Sequence, residues 1–333
     1  MSSIIKAAVI QAAPVLFDTP KTLAKLAELA REAAQKGANL VVFPEAFVGG
    51  YPKGLDFGAR LGMRSPEGRE AFRKYFESAI ELTGPEAQRL GEVARDNHIH
   101  LVVGIIERDG GTLYCTAVTY APSGKLISKH RKLMPTALER LVWGFGDGST
   151  IGVAETSIGR IGSVICWENY MPLLRTAMYA QGIELYCAPT VDDREAWFPT
   201  MRMIALEGRC FVISACQYMT RSDGPADYTP IQGDDPQTVI LRGGSCIIDP
   251  LGNALVEPDY SGETIKIAEI DRRVIARGKY DLDVVGHYAR PDIFRLSVDT
   301  RPKAAVVFSS LSAEVTEIGS NDPLRPAVAS SSE

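Results

Sequence analysis

Three short segments carry polar residues at the ends of apolar runs: Phe43-Pro44-Glu45, His130-Arg131-Lys132 and Ile165-Cys166-Trp167-Glu168-Asn169. Their residue types form a complete set for nucleophilic chemistry. A cysteine attacks through its thiolate, so it needs a base to take the proton or a nearby cation to favour ionisation. Glu45 supplies a base. Lys132 supplies a cation, which can also stabilise or protonate the negative atom that develops when sulfur attacks. Histidine is the common partner of a reactive cysteine, yet none of His98, His100, His130 and His287 stands in a suitable place at these ends. Cys-Glu-Lys is the arrangement on offer. Each segment alone is ordinary: a Glu after a strand is usually solvated, a Lys is usually surface charge, and a buried Cys is usually an inert small hydrophobe.

The elements that must position these residues read as an α/β layer with mixed sheets. Residues 4–11 form a short apolar run rich in β-branched side chains and are stopped at Pro14, as a buried strand would be. Leu23, Leu26, Ala27, Ala30 and Ala33 recur at helical spacing between Thr19-Pro20, read as N-cap and first turn, and Gly37 as terminator. Residues 39–43 are a second strand, ended by Pro44. Helices are expected over 67–82 and 85–97, then strands over 100–107, 113–120 and 125–130 joined by turns at Gly110-Gly111 and Ser123-Gly124. Further strands fall at 150–156, 161–166, 183–188, 210–216, 244–248 and 264–270, with helices from Pro172 to Gln181, over 197–208 and over 272–280. Glu45, Lys132 and Cys166 thus lie at strand ends, where α/β sheets build their sites. Residues 220–237, dense in Asp, Gly, Pro and Thr, read as an exposed loop or insertion.

Composition narrows the function classes. The 333 residues are 45% hydrophobic and 23% charged with a net charge of -5, which excludes collagen-like and disordered classes and gives no basic excess for nucleic acid. Six cysteines without a CxxC pair and four His without metal-ligand spacing predict no metal site. The opening apolar run breaks at Pro14 and Asp18, too early for a secretory segment, and no stretch approaches the roughly 18 apolar residues of a membrane span. A cytoplasmic protein with reduced thiols is expected. Cys115, Cys187, Cys210, Cys216 and Cys246 sit in apolar strands and read as core thiols. One domain is expected over 1–308. A mobile tail is expected over 309–333, where apolar periodicity is lost.

From about Lys6 to Phe308 the sequence resembles the nitrilase branch of the carbon–nitrogen hydrolase superfamily. Val42-Phe-Pro-Glu-Ala46 matches its glutamate segment, Lys129-His-Arg-Lys-Leu-Met-Pro-Thr136 its lysine segment and Cys166-Trp-Glu-Asn169 its nucleophile segment. Trp-Glu after the cysteine is similar to nitrilases, whereas amidase branches more often carry Tyr-Asp. Gly49-Gly-Tyr-Pro52, Leu138-Glu-Arg140, Trp143 to Ser149, Glu184 to Thr190 and Val285 to Asp292 resemble plant nitrilases and their bacterial relatives. The resemblance implies a four-layer α-β-β-α sandwich and hydrolysis of a small organic nitrile, without cofactor, to carboxylic acid and ammonia. It implies Glu45 as general base, Lys132 as stabiliser or proton donor, Cys166 as nucleophile and Glu139 as a second, supporting glutamate. Thioimidate and acyl-thioester intermediates follow, with amide as a by-product when sulfur leaves in place of ammonia. Self-association into dimers and larger spirals or filaments is also implied, with residues 220–237 and the segment after Asp281 as candidate contacts. Tyr51, Trp143, Trp167, Pro189, Thr190 and Trp197 are candidate pocket residues, and Trp143 and Trp167 are equally readable as packing. Glu168 is expected to bond a backbone group or to pair with Lys132. The alternatives are an amidase or carbamoyl hydrolase of the same superfamily, or a non-catalytic scaffold.

Overall fold

Strand β1 (Ile4–Gln11) feeds two cores at once, because successive side chains on a strand point to opposite faces. Ile5, Ala7 and Val9 pack toward Leu185, Phe211 and Ile213, while Ala8 and Ile10 pack toward Leu23, Leu26 and Ala30 of helix α1 (Thr19–Gln35). The computed structural model describes residues 3–303 and 306. A compact unit ends at Pro302; the expected tail over 309–333 lies outside the described residues.

After α1, β2 (Leu40–Val42) pairs parallel with β1, and a two-residue-per-strand hairpin, β3 (Ala59–Arg60) and β4 (Met63–Arg64), precedes α2 (Pro66–Ser78) and α3 (Pro85–Asp96). β5 (His100–Asp109), β6 (Thr112–Tyr120) and β7 (Leu126–Arg131) follow as an antiparallel meander, with β5 parallel to β2. β16 (Thr264–Asp271) closes the other edge, giving the order β16-β1-β2-β5-β6-β7. The second sheet, in the order β15-β14-β11-β10-β9-β8, comprises β8 (Val153–Thr156), β9 (Gly159–Ser163), β10 (Leu185–Cys187), β11 (Phe211–Ser214), β14 (Cys246–Ile248) and β15 (Ala254–Val256). Its helices are α4 (Pro172–Ala180) and α5 (Trp197–Gly208). The small hairpin of β12 (Tyr218–Thr220) and β13 (Val239–Arg242) stands apart from both sheets, and α6 (Arg273–Gly278) follows β16.

The layers follow from which faces are apolar. Ile5, Val9, Leu40 and Val102 of the first sheet meet Ile161, Leu185, Phe211 and Ile247 of the second, so the sheets pack face to face. Leu26 and Ala30 of α1 with Leu90 and Ala94 of α3 cover the outer face of the first sheet; Met178 of α4 with Met201 and Ile204 of α5 cover the second. The result is the expected four-layer α-β-β-α sandwich. Burial drives it: truncating a fully buried leucine such as Leu26 to alanine would cost about 2–5 kcal/mol.

Several local expectations shift for identifiable reasons. Helix α1 is capped by Asp18, whose carboxylate accepts the Lys21 N–H at 3.0 Å, and Thr19 turns away to donate to the Ser78 carbonyl. The strand expected over 161–166 stops at Ser163, because Cys166 starts a 3-10 turn, Cys166–Tyr170. Residues 220–237 are anchored rather than free. Arg221 and Tyr228 are buried, Arg221 donating to the Pro225 and Ala226 carbonyls and the Tyr228 hydroxyl to the Lys53 carbonyl. Among the described residues no helix is long and apolar enough to cross a membrane.

Candidate active site

Glu45, Lys132 and Cys166 converge from three strand ends. Glu45 follows β2 through Phe43 and Pro44, Lys132 is the first residue past β7, and Cys166 is the third past β9. The turn at Glu45 is wedged against β5. A Cβ on Gly104 would lie 2.3 Å from the Pro44 carbonyl oxygen and 2.6 Å from the Ala46 nitrogen, so glycine is required for this approach. Ala46 and Cys166 both adopt the left-handed region, at φ of 50° and 49°. For a residue with a Cβ this costs of order 1–3 kcal/mol, strain that is held at two of the strand ends that carry the cluster. The Cys166 N–H donates to the Pro189 carbonyl at 2.9 Å, and the Asn169 side-chain amide donates to the Val164 and Cys166 carbonyls.

The polar contacts form one connected cluster. Lys132 Nζ donates to Glu45 Oε1 at 2.7 Å and to Glu139 Oε2 at 2.8 Å, and the Tyr51 hydroxyl donates to Glu139 Oε1 at 2.8 Å. Glu139 comes from a 3-10 turn, Ala137–Leu141, and also accepts the Thr136 N–H. Glu45 Oε2 has no hydrogen-bond partner among the described residues. Thr190, just past β10, accepts the Asp192 N–H at 2.9 Å and donates to Cys166 Sγ at 3.2 Å. Lys132 also stands 5.4 Å from the centre of the Trp143 ring, whose N–H donates to the Tyr75 hydroxyl at 2.9 Å.

Burial sets the protonation of this cluster. Glu45, Lys132 and Cys166 are 0%, 1% and 3% exposed. Burial raises the Glu45 pKa above its ordinary value, and the Lys132 ammonium only partly offsets that rise. For Lys132, burial works against the charge, but the Glu45 carboxylate and the other acidic groups around it win and hold the ammonium well above its usual range. Burial pushes the Cys166 thiol up, Glu45 adds to the rise, and Lys132 and Thr190 oppose it. The group at rest is therefore a thiol beside a carboxylate that can take its proton.

A cavity of about 1070 Å³ reaches the cluster on its Glu139 side, walled by Tyr51, Trp143, Phe17, Leu138 and Tyr228. Tyr51 and Trp143 meet edge to face there, with centroids 5.8 Å apart. Other candidate pocket residues fare differently. Thr190 and Pro189 contact Cys166 itself. Trp167 is 42% exposed, its N–H on Asp192 and its ring beneath the Arg194 guanidinium, and it does not line the cavity. Trp197, the first residue of α5, does not line the cavity: it is 2% exposed, packs with Tyr186 and Met201, and donates to Ser214 Oγ at 2.9 Å.

Glu168 bonds backbone groups as expected but pairs with His130, not with Lys132. Two neighbours of the cluster escaped sequence reading. Cys115, expected to be an inert core thiol, donates to Glu45 Oε1 at 3.5 Å, and its carbonyl accepts the Lys132 N–H at 2.8 Å. Gln217 donates to the Glu45 carbonyl at 2.7 Å. Strand alternation could have found Cys115, which shares a face of β6 with the core residues Leu113 and Ala117; nothing local marked Gln217.

The family model for carbon-nitrogen hydrolases matches residues 6–280. The chain belongs to the carbon–nitrogen hydrolase family. An aliphatic nitrilase from Sinorhizobium fredii is 58% identical over 91% of this chain and 98% of its own length. A bifunctional nitrilase/nitrile hydratase from Lupinus angustifolius is 52% identical over 94% of this chain and 91% of its own. Among solved structures, Saccharomyces cerevisiae Nit3, a member of branch 10 of the nitrilase superfamily, superposes with a TM-score of 0.66 at 25% identity, covering 86% of this chain and 97% of that one. The carbon–nitrogen hydrolase fold thus presents its buried Glu-Lys-Cys cluster from the carboxyl ends of strands in two facing sheets.

Proposed function

We propose that the protein is a nitrilase that converts an organic nitrile and two waters into a carboxylic acid and ammonia, with Cys166 as nucleophile. The observation that carries this reading is the Cys166 thiol held on a left-handed turn within the field of Glu45 and Lys132. Glu45 takes the thiol proton as sulfur bonds to the nitrile carbon, and the nitrogen receives a proton from the Glu45–Lys132 pair, giving a thioimidate. A water, deprotonated by Glu45, adds to that carbon. The water's proton and then that of the new hydroxyl pass through Glu45 to nitrogen, so the carbonyl re-forms as the C–N bond breaks and ammonia leaves; a second water then hydrolyses the acyl thioester, one proton returning to sulfur, which frees the acid and restores the thiol. Lys132 and the backbone N–H following Cys166 stabilise the charged intermediates. Glu139, held by Tyr51, keeps Lys132 in place.

Breaking the C–S bond of the tetrahedral intermediate releases amide instead, and the bifunctional lupin relative supports this minor route. The apolar and aromatic cavity walls favour a neutral organic nitrile. Similarity to two nitrilases over nearly their whole lengths favours nitriles over amides as substrates. Incubation with a nitrile and, in parallel, its amide tests the choice: faster ammonia release from the nitrile is expected, and turnover of the amide alone would overturn it.

The reading includes a cytoplasmic setting and self-association into dimers and larger spiral filaments. All six cysteines are free and buried, which supports a reducing compartment. Beyond α6, Tyr280, Tyr288 and Phe294 are 90%, 68% and 78% exposed, which supports a partner for that segment. Light scattering checks it, and a monomer at assay concentration would contradict it.

A further inference from the structure

Glu168 touches both halves of the cluster through its backbone neighbours. Its Oε1 accepts the N–H of Leu133, the residue after Lys132, at 2.6 Å. Its Oε2 accepts the N–H of Ile165, the residue before Cys166, at 3.0 Å. Strands β7 and β9 belong to different sheets, and no ladder joins them. A single buried carboxylate thus spans the gap between the lysine strand and the nucleophile turn.

His130 completes the bridge. Its Nε2 lies 3.1 Å and 3.3 Å from the two Glu168 oxygens, and its Nδ1 lies 3.1 Å from the Thr150 carbonyl oxygen. Both partners of the ring are acceptors. A neutral imidazole has one N–H and can satisfy only one of them, so both contacts are hydrogen bonds when the ring carries two protons. Among the described residues Glu168 is the charged group in hydrogen-bond contact with the ring: its register partner on β6 is Ala117, and Lys129 and Arg131 of its own strand both reach Glu107. Burial opposes the imidazolium, but Glu168 and the Thr150 carbonyl hold the His130 pKa above its ordinary value.

We infer that His130 and Glu168 form a buried ion-pair clamp that sets Lys132 against Cys166, making both of them positioning residues for the proposed reaction. The inference rests on the reading of Cys166 as nucleophile. Neither side chain lines the cavity, so breaking the clamp slows chemistry and leaves binding intact. The test uses the full chain. Glu168→Gln keeps the shape but has one oxygen for two backbone donors, so one tie is lost. Loss of a hydrogen bond to a charged group predicts that kcat falls about tenfold or more, with KM within about twofold. Alkylation of Cys166 by iodoacetamide, read against a Cys166→Ala background, slows in parallel.

His130→Gln, which retains an N–H donor for Glu168, is expected to keep more kcat than His130→Leu. That pair decides the matter if Glu168→Gln does not fold. Wild-type values of kcat and alkylation rate in Glu168→Gln, a loss in KM alone, or equal kcat in the two His130 variants would overturn the clamp. Failure of the nitrilase reading is seen separately, as wild-type protein that releases no ammonia from nitrile while the alkylation assay still reports on Cys166.

Discussion

Thr190 donates its hydroxyl hydrogen to Cys166 Sγ across 3.2 Å, and its own oxygen is fixed by the Asp192 N–H. A hydroxyl held from both sides loses nothing to reorientation when sulfur becomes negative. Thr190→Val keeps the shape and removes the donor. A hydrogen bond to a charged group is worth about 1.5–3 kcal/mol, so kcat should fall about ten- to a hundredfold. Steady-state kinetics with a single nitrile checks this; an unchanged kcat would mean that the hydroxyl serves packing only.

Lys132 is paired with two carboxylates and has almost no solvent access. Replacing it with methionine leaves Glu45 and Glu139 without their cation in a buried site, which should cost about 3–5 kcal/mol of stability and abolish turnover. Urea unfolding gives the stability arm. Glu45→Gln, which leaves the Lys132–Glu139 pair in place, should cost less stability yet reduce kcat by about a hundredfold or more.

The raised pKa of Glu45 has a definite sign in two measurements. The base form is needed for attack, so the acid limb of kcat/KM should lie above the ordinary carboxylate value of 4.5. Because the folded pKa exceeds the unfolded one, the protonated carboxyl favours the fold at low pH, and that contribution is lost as pH rises through the folded value. The stability of Glu45→Gln relative to wild type should therefore rise with pH above 4.5, as read from urea midpoints at several pH values.

Tyr51 donates its hydroxyl hydrogen to Glu139, and its ring packs edge to face on Trp143. Tyr51→Phe retains the ring contact and loses one hydrogen bond, worth about 0.5–1.5 kcal/mol. A two- to tenfold decrease in kcat is expected, roughly the rate equivalent of that energy. A loss beyond a hundredfold would place Tyr51 in direct contact with the reacting atoms.

What the sequence made legible followed local rules. Apolar runs bounded by turn residues placed β1, β5 and β6, helical spacing placed α1, and α5 spans the same residues, Trp197–Gly208, that its pattern predicted. Glu45, Lys132 and Cys166 stood out because each breaks an apolar run with a group that has chemistry to offer. The remainder depended on long-range contact. Gln217 reaches Glu45 from 172 residues away. His130 sits in a polar run with no local sign of its partner Glu168, although residues two apart on a strand share a face, and Lys132 points inward too. An aromatic that opens a helix near a strand end, as Trp197 does, has the same local signature whether it faces a cavity or a core. The short strands β13 and β15 were missed because four and three residues carry too little periodicity.

The central claim is that Cys166 carries the substrate's acyl portion covalently. Acid-quenched protein taken during turnover of a nitrile, digested and measured by mass spectrometry, tests it most directly. The account predicts a mass increase confined to the peptide containing Cys166, and a Cys166→Ala variant that folds with wild-type circular dichroism, forms no adduct and releases no ammonia. An adduct on another cysteine, or undiminished ammonia release from Cys166→Ala, would contradict it.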